Sequence, residues 1–294
     1  MSGATEPVTS VVRKAVPGDL DQIFTLLRGS ELSRETRARM FEKRWGADED
    51  YFGYVLEVNG VIVGMLGLMF SRRTIDGVTY KFCELHTWYV EDAYRDESLK
   101  LFLPVMGLKG YELINVAPSD VVLAISKKFG FQELETHLRL IFPVPTPGAL
   151  LGGTELVYDL DEIERSLSGK DLQIFRDHRD LPLTHVLARD RGGHPCYLIA
   201  KACSRDRWER YGRLFHVSDV SAFVRHLPAL RVRLCLKLGV LFLVMNDAKL
   251  GGAALPFSKV IPREVPSVFK SRKLRREDLD HLYTEPLVLG YRFQ

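Results

Sequence analysis

The chain has 294 residues, 46% of them hydrophobic and 27% charged, which is enough apolar material for one large domain or two ordinary ones. Forty-one Lys and Arg against 38 Asp and Glu leave a formal charge of +3, too small for a bulk electrostatic drive toward nucleic acid or membrane. The same composition excludes a mainly disordered or collagen-like chain. The longest apolar run, Leu238 to Met245, is well short of the roughly 20 residues that a membrane-crossing helix needs. Met1 to Ser10 lack the apolar stretch of a secretory signal. Cys83, Cys196, Cys203 and Cys235 lie far apart without a Cys-x-x-Cys pair, which points to free thiols, a cytoplasmic setting and no metal site.

In chain order, Val11 to Ala15 predicts a short strand, and Pro17-Gly-Asp opens a helix through Leu20, Ile23 and Leu27 with Asp19 as its cap. Arg34 to Trp45 predicts a charged amphipathic helix. Tyr54 to Val58, the Asn59-Gly60 turn and Val61 to Phe70 form the clearest hairpin signal. A looser connection through Asp76-Gly77 leads to a strand at Tyr80 to Val90 and a helix from Asp96 to Gly107. A buried strand at Tyr111 to Val116, a helix at Asp120 to Lys128 stopped by Gly130, and a closing strand at Leu138 to Val144 follow. Pro143 to Thr154 holds three prolines and three glycines and reads as an interdomain linker. The expected organisation is therefore a domain at 1–144, a linker at 145–154 and a second domain at 155–294.

The second half repeats the order of the first, with a helix at Val220 to Lys237 and a buried strand at Val240 to Met245. Leu85-His86 and Arg95 recur, at an offset of 130, as Phe215-His216 and Arg225. Degenerate duplication and chance likeness between two α/β domains both account for this.

Val90-Glu-Asp-Ala-Tyr-Arg-Asp-Glu-Ser-Leu-Lys100, taken with Leu123-Ala-Ile-Ser-Lys-Lys-Phe-Gly-Phe131, resembles the GNAT superfamily of acyl-coenzyme A dependent N-acyltransferases. The resemblance implies an α/β (α+β) fold of tandem GNAT-like domains, each a mixed, mostly antiparallel sheet flanked by helices. It also implies acetyl-CoA or another acyl-CoA as co-substrate, held through backbone amides at a helix N-terminus near Trp88, Val90, Arg95, Asp96, Glu97, Ser98, Leu99 and Lys100. The family's loop glycines are replaced here by Asp96, Ser98 and Lys100, and its frequent tyrosine acid by Ser126. Asp96-Glu97-Ser98 is also ordinary chemistry for a helix first turn.

N-acylation needs a neutral amine, a route for its proton and donors facing the carbonyl. Strict alternation along Phe82 to Val90 would place Glu84, His86 and Trp88 on one face and Leu85, Thr87 and Tyr89 on the other. Glu84 and His86 are the candidate bases, and packing beside Trp88 is the alternative reading. Tyr89 and Ser126 are candidates for returning a proton to sulfur, and Asn115 and Ser119 for binding substrate. His216, Ser218 and Asp219 match no nucleophile turn, and Ser218-Asp219 reads as a helix cap. The basic run Lys270 to Arg276 has no interleaved aromatics, which argues against nucleic acid. The expected activity is acyl transfer to the amine of a small molecule or amino sugar. A silent GNAT-like binding module and an aminoacyl-tRNA-dependent transferase are the alternatives.

Overall fold

A computed structural model describes residues 10–28, 33–151, 153–204 and 210–289. The expectation about the polar first residues falls almost wholly outside them. The chain divides into two compact units. One comprises the chain up to Val116 with Phe269–Lys273 and Tyr283–Leu289, and the other comprises Ala117–Val268 with Leu274–Leu282.

The first unit holds β1 (Ser10–Lys14), α1 (Leu20–Leu26), α2 (Arg34–Ala38), β2 (Gly53–Val58), β3 (Val61–Ile75), β4 (Val78–Val90), α3 (Leu99–Met106) and β5 (Tyr111–Asn115). The second holds α4 (Asp120–Lys128), β6 (Gln132–Glu133), β7 (His137–Ile141), α5 (Pro147–Leu151), β8 (Glu155–Val157), α6 (Leu160–Ser166) and α7 (Gly169–His178). It continues with β9 (Thr184–Arg189), β10 (Cys196–Ser204), β11 (Arg210–Val217), α8 (Val220–Leu238), β12 (Phe242–Asn246) and β13 (Ser258–Pro262). A short strand β14 (Val268–Lys270) and helix α9 (Glu285–Leu289) return to the first unit.

The first-unit strands run β1-β2-β3-β4-β5-β14, with β1 to β4 paired antiparallel and β4 and β5 parallel. The Asn59-Gly60 hairpin is present, with both residues at positive φ, 50° and 79°. Asp76-Gly77 is a second such turn (φ 49° and 78°) and not a loose connection, so β3 and β4 pair to their ends. The helix expected over 34–45 stops at Ala38, continues as a 3-10 turn to Phe41, and is followed by left-handed Trp45 and Gly46. Asp19 does not cap α1. Its carboxylate turns back to the Val16 amide at 2.9 Å and to Arg13 at 2.8 Å.

The second sheet runs β13-β7-β12-β11-β10-β9-β8. This corrects the boundary expected at 144. The strand at 138–144 does not close the first sheet, because its two edges bond to β12 (Leu243↔Ile141) and β13 (Ser258↔Ile141) in the second. The segment at 145–154 is likewise no free linker. Thr146 Oγ1 accepts from Arg231 at 3.2 Å, and Thr154 Oγ1 meets His226 Nδ1 at 3.0 Å, both on α8.

Each sheet thus has a parallel pair that parts. β4 and β5 pair from Lys81↔Tyr111 to Glu84↔Ile114, after which β4 runs on to Val90 paired only with β3. β11 and β12 pair from Tyr211↔Phe242 to Arg213↔Val244, and β11 continues to Val217. Beside each fork the antiparallel neighbour slips by one residue, leaving a bulge at Thr87 in β4 and at Phe215 in β11. The bulges set Thr87 against Phe215, two residues away from the match that the 130-residue offset suggests. The cores lie on the helix-covered faces. Leu101, Phe102 and Val105 of α3 are buried in the first unit, and Phe223, Leu227, Leu230 and Leu234 of α8 pack on Leu198, Ala200 and Leu214 in the second. Each such side chain contributes about 1.5–3 kcal/mol by leaving water.

Candidate functional site

The bulge at Thr87 decides which β4 side chains meet. Register with β3 pairs Met69 with Glu84, Gly67 with His86, Leu66 with Trp88 and Met65 with Tyr89. Glu84, His86 and Tyr89 therefore share a face, while Leu85, Trp88 and Val90 take the other. This corrects the expectation that Trp88 lies beside Glu84 and His86: the extra residue reverses the alternation. Trp88 instead stacks on Phe102 of α3, with ring centroids 5.1 Å apart and planes 2° from parallel. Thr87 is left-handed (φ 42°), which is costly for a β-branched residue.

Two glycines of β3 make room for these side chains. A Cβ on Gly67 would stand 2.3 Å from His86 Cε1, so the imidazole lies across the bare glycine backbone. A Cβ on Gly64 would stand 2.8 Å from a Val90 methyl. Glycines inside a strand pattern mark such close approaches.

The face bearing Glu84 and His86 is completed by the segment Tyr283–Glu285, which the sequence did not single out. Glu285 Oε1 lies 3.1 Å from His86 Nδ1 and accepts from the Thr87 hydroxyl at 2.8 Å. The Glu285 amide donates to Glu84 Oε2 at 2.5 Å. Glu84 is 1% exposed, and burial together with the charge of Glu285 pushes its pKa well above the usual carboxylate range, only partly opposed by the Glu285 amide and Arg73. Its carboxyl is therefore biased toward the protonated form. Arg73 lies over the rings of Phe82 (4.1 Å) and Tyr283 (5.0 Å). Glu84 Oε1, His86 Nε2 and the Trp88 indole nitrogen are buried without a hydrogen-bond partner. Each such atom costs about 1–3 kcal/mol until some group meets it.

Beyond Val90 the expected coenzyme turn is a 3-10 segment over Asp92–Glu97 that leads into α3. The Ser98 amide donates to the Arg95 carbonyl at 3.2 Å and the Leu101 amide to the Ser98 carbonyl at 3.2 Å, so part of the expected amide cradle is engaged within the turn. Arg95 pairs with Asp92 at 2.5 Å and Lys100 with Glu97 at 3.2 Å, all at the surface. Asp96 and Leu99 are exposed. Asn115 ends β5 and is buried. Ser119 and Ser126 belong to the second unit. Ser119 caps α4 by accepting from the Val122 amide at 3.4 Å, and Ser126 is 1% exposed.

An acyl-CoA at this fork would meet an altered phosphate end. Past Glu84 the edge of β4 that faced β5 is unpaired, and the polar atoms orphaned near it are buried on both faces of the strand. The phosphates would rely on Arg95 and Lys100, released from exposed ion pairs that are worth at most about 1 kcal/mol each. Among the described residues no group of three or more His, Cys, Asp or Glu could hold a metal ion, no helix is long and apolar enough to cross a membrane, and all four cysteines are free and buried.

No protein-family model matches the chain, and no curated protein matches it. Solved structures do. A GCN5-related glucosamine N-acetyltransferase region of a fungal multi-domain GH3 β-N-acetylglucosaminidase superposes with a TM-score of 0.59 at 15% identity, covering 92% of this chain and 39% of that one. A GCN5-related N-acetyltransferase from Kribbella flavida gives 0.58 at 14% identity, covering 91% and 72%. Another from Anabaena variabilis gives 0.57 at 12%, covering 89% and 72%. The fold is that of the GCN5-related N-acetyltransferases, as the β4 and α4 motifs suggested.

Proposed function

We propose that the protein is an acyl-CoA-dependent N-acyltransferase acting on the amine of a small molecule or amino sugar. The observation that carries this is the fork between β4 and β5, with the unpartnered Nε2 of His86 buried beside it. Acyl-CoA would supply the acyl group as an activated thioester. His86 is buried in the resting fold and must be uncovered to take the proton of the attacking amine at Nε2, while Glu285 holds Nδ1 and so fixes ring and tautomer. Glu84, biased toward its protonated form by burial and by Glu285, is the weaker candidate for the base. Tyr89, 44% exposed on the same face, returns a proton to the departing sulfur. Arg95 and Lys100 hold the phosphates, and Asn115 meets the substrate side of the fork.

Calorimetric titration with acetyl-CoA, followed by thiol-release assays over glucosamine, amino acids and polyamines, tests this. Saturable binding weakened by the double change Arg95→Ala and Lys100→Ala is expected, with loss of turnover in His86→Gln. A folded protein that binds no acyl-CoA would leave the silent-module reading, which the engaged amides of Ser98 and Leu101 favour.

A further inference from the structure

The second fork has a site of its own. A cleft of ≈ 240 Å³ opens where β11 leaves β12, lined by Leu214 to Ser218 of β11 and the residues after it, Met245 and Asn246 of β12, Lys170 and Asp171 of α7, and Lys249. Its floor is a buried charge cluster in which Glu135, 1% exposed, pairs with Arg213 and Arg263. Burial alone would raise the Glu135 pKa, but Arg213, the adjacent His281 and Arg263 overcome that and hold it at about 2. Burial lowers the His281 pKa to about 3, so it is neutral at pH 7 and the floor carries one net positive charge.

The walls add groups of both signs. His216 Nε2 lies 2.9 Å from Asp171 Oδ1, and its ring is tilted against Tyr197 at 5.5 Å, so one nitrogen is held by a carboxylate while Nδ1 has no bond to a described residue. Lys249 donates to the Glu277 carbonyl at 3.0 Å, and burial pulls its pKa below the ordinary lysine value despite nearby Asp280. Lys170 stands exposed at the rim with no ion pair to another described residue. An ammonium drawn into a cleft gains from an anion beyond the Asp280, Asp278 and Glu277 already near it, and an imidazole nitrogen left unbonded presents a partner to an N–H or O–H donor. The space is below the 300 Å³ or so typical of drug-sized ligands and far too small for a whole coenzyme A.

We propose that this cleft binds a free α-amino acid, its carboxylate on Lys249 and Lys170 and its amino group on the His216–Asp171 pair. The site is separate from the acyl-transfer reading and stands or falls without it.

The test is calorimetry on the full chain with the common L-amino acids, their 2-hydroxy and 2-keto counterparts, and inorganic phosphate as probes. At least one amino acid should bind saturably. Lys249→Gln and His216→Gln should each weaken it by about tenfold or more, and Arg225→Gln, an exposed cation elsewhere in the unit, should leave it unchanged. Thermal unfolding of each variant separates a lost contact from a lost fold, and ring-labelled His216 resonances should move on ligand addition. Four results overturn the proposal: no saturable amino acid, equal binding by keto acids or phosphate, binding that neither variant weakens, or unmoved His216 resonances.

Discussion

The two forks share a plan and differ in what fills them. Each follows a parallel pair, each lies beside a one-residue bulge, and each carries a histidine held by a carboxylate: His86 by Glu285, His216 by Asp171. In the first unit the pair is sealed, with side chains 1% and 9% exposed. In the second it faces an open cleft, at 12% and 32%. The buried glutamates diverge as well. Glu84 has a backbone amide and a second carboxylate for company and its pKa is pushed up, whereas Glu135 has two guanidinium groups and its pKa is pulled down to about 2. Local charge, not depth of burial, sets which form a buried carboxyl takes.

Glu135→Gln should be the most damaging way to disturb this contrast. It strands two guanidinium groups in the interior and is expected to cost about 3–5 kcal/mol, measured by denaturant unfolding. The wild-type contribution has a definite pH window. The folded pKa of about 2 lies below the unfolded value near 4.3, so the stabilisation is present above that value and is lost as pH falls toward 2. Unchanged acid stability in Glu135→Gln would contradict it.

Gly67→Ala comes next, at about 1–3 kcal/mol, because the added methyl must displace the His86 ring or part β3 from β4. The melting temperature should fall, and the His86 resonances should move while those of His216 stay. Asp219→Ala removes the carboxylate that accepts from the Ala222 amide at 2.6 Å and should cost about 1 kcal/mol by weakening the start of α8.

Glu84→Gln should have the smallest effect and the opposite pH sign to Glu135. A raised folded pKa makes the carboxyl's contribution fully present below the unfolded value and lost as pH rises. The amide variant should therefore lie within about 1 kcal/mol of wild type at pH 5 and gain on it toward pH 8. A variant that loses ground as pH rises would show that Glu84 is charged in the fold.

Local patterns in the sequence revealed much of this architecture. Asn59-Gly60 makes the expected tight turn and Asp219 caps the helix that follows it, whereas Asp76-Gly77, read as a loose connection, is a tight turn too, and Ser119, read as a substrate residue, is a cap. The site was legible only up to the bulge. Glu84 and His86 do share a face, but one added residue at Thr87 sends Trp88 to the other side, and no periodicity rule registers a bulge without a glycine at its centre. Gly64 and Gly67 did carry a signal, as glycines inside an otherwise apolar strand. Glu285 carried none, since it reaches His86 across some 200 residues of chain. The boundary failed for a related reason: prolines and glycines mark where regular structure breaks, not which sheet receives the next strand.

The return of residues 283–289 to the first unit has a bearing on how the chain is made. A ribosome synthesises β4 early, yet the groups that cover Glu84 and His86 are translated only after the entire second unit. The nascent N-terminal sheet must wait with one face uncovered, so the half of the protein that is built first is the half that is finished last.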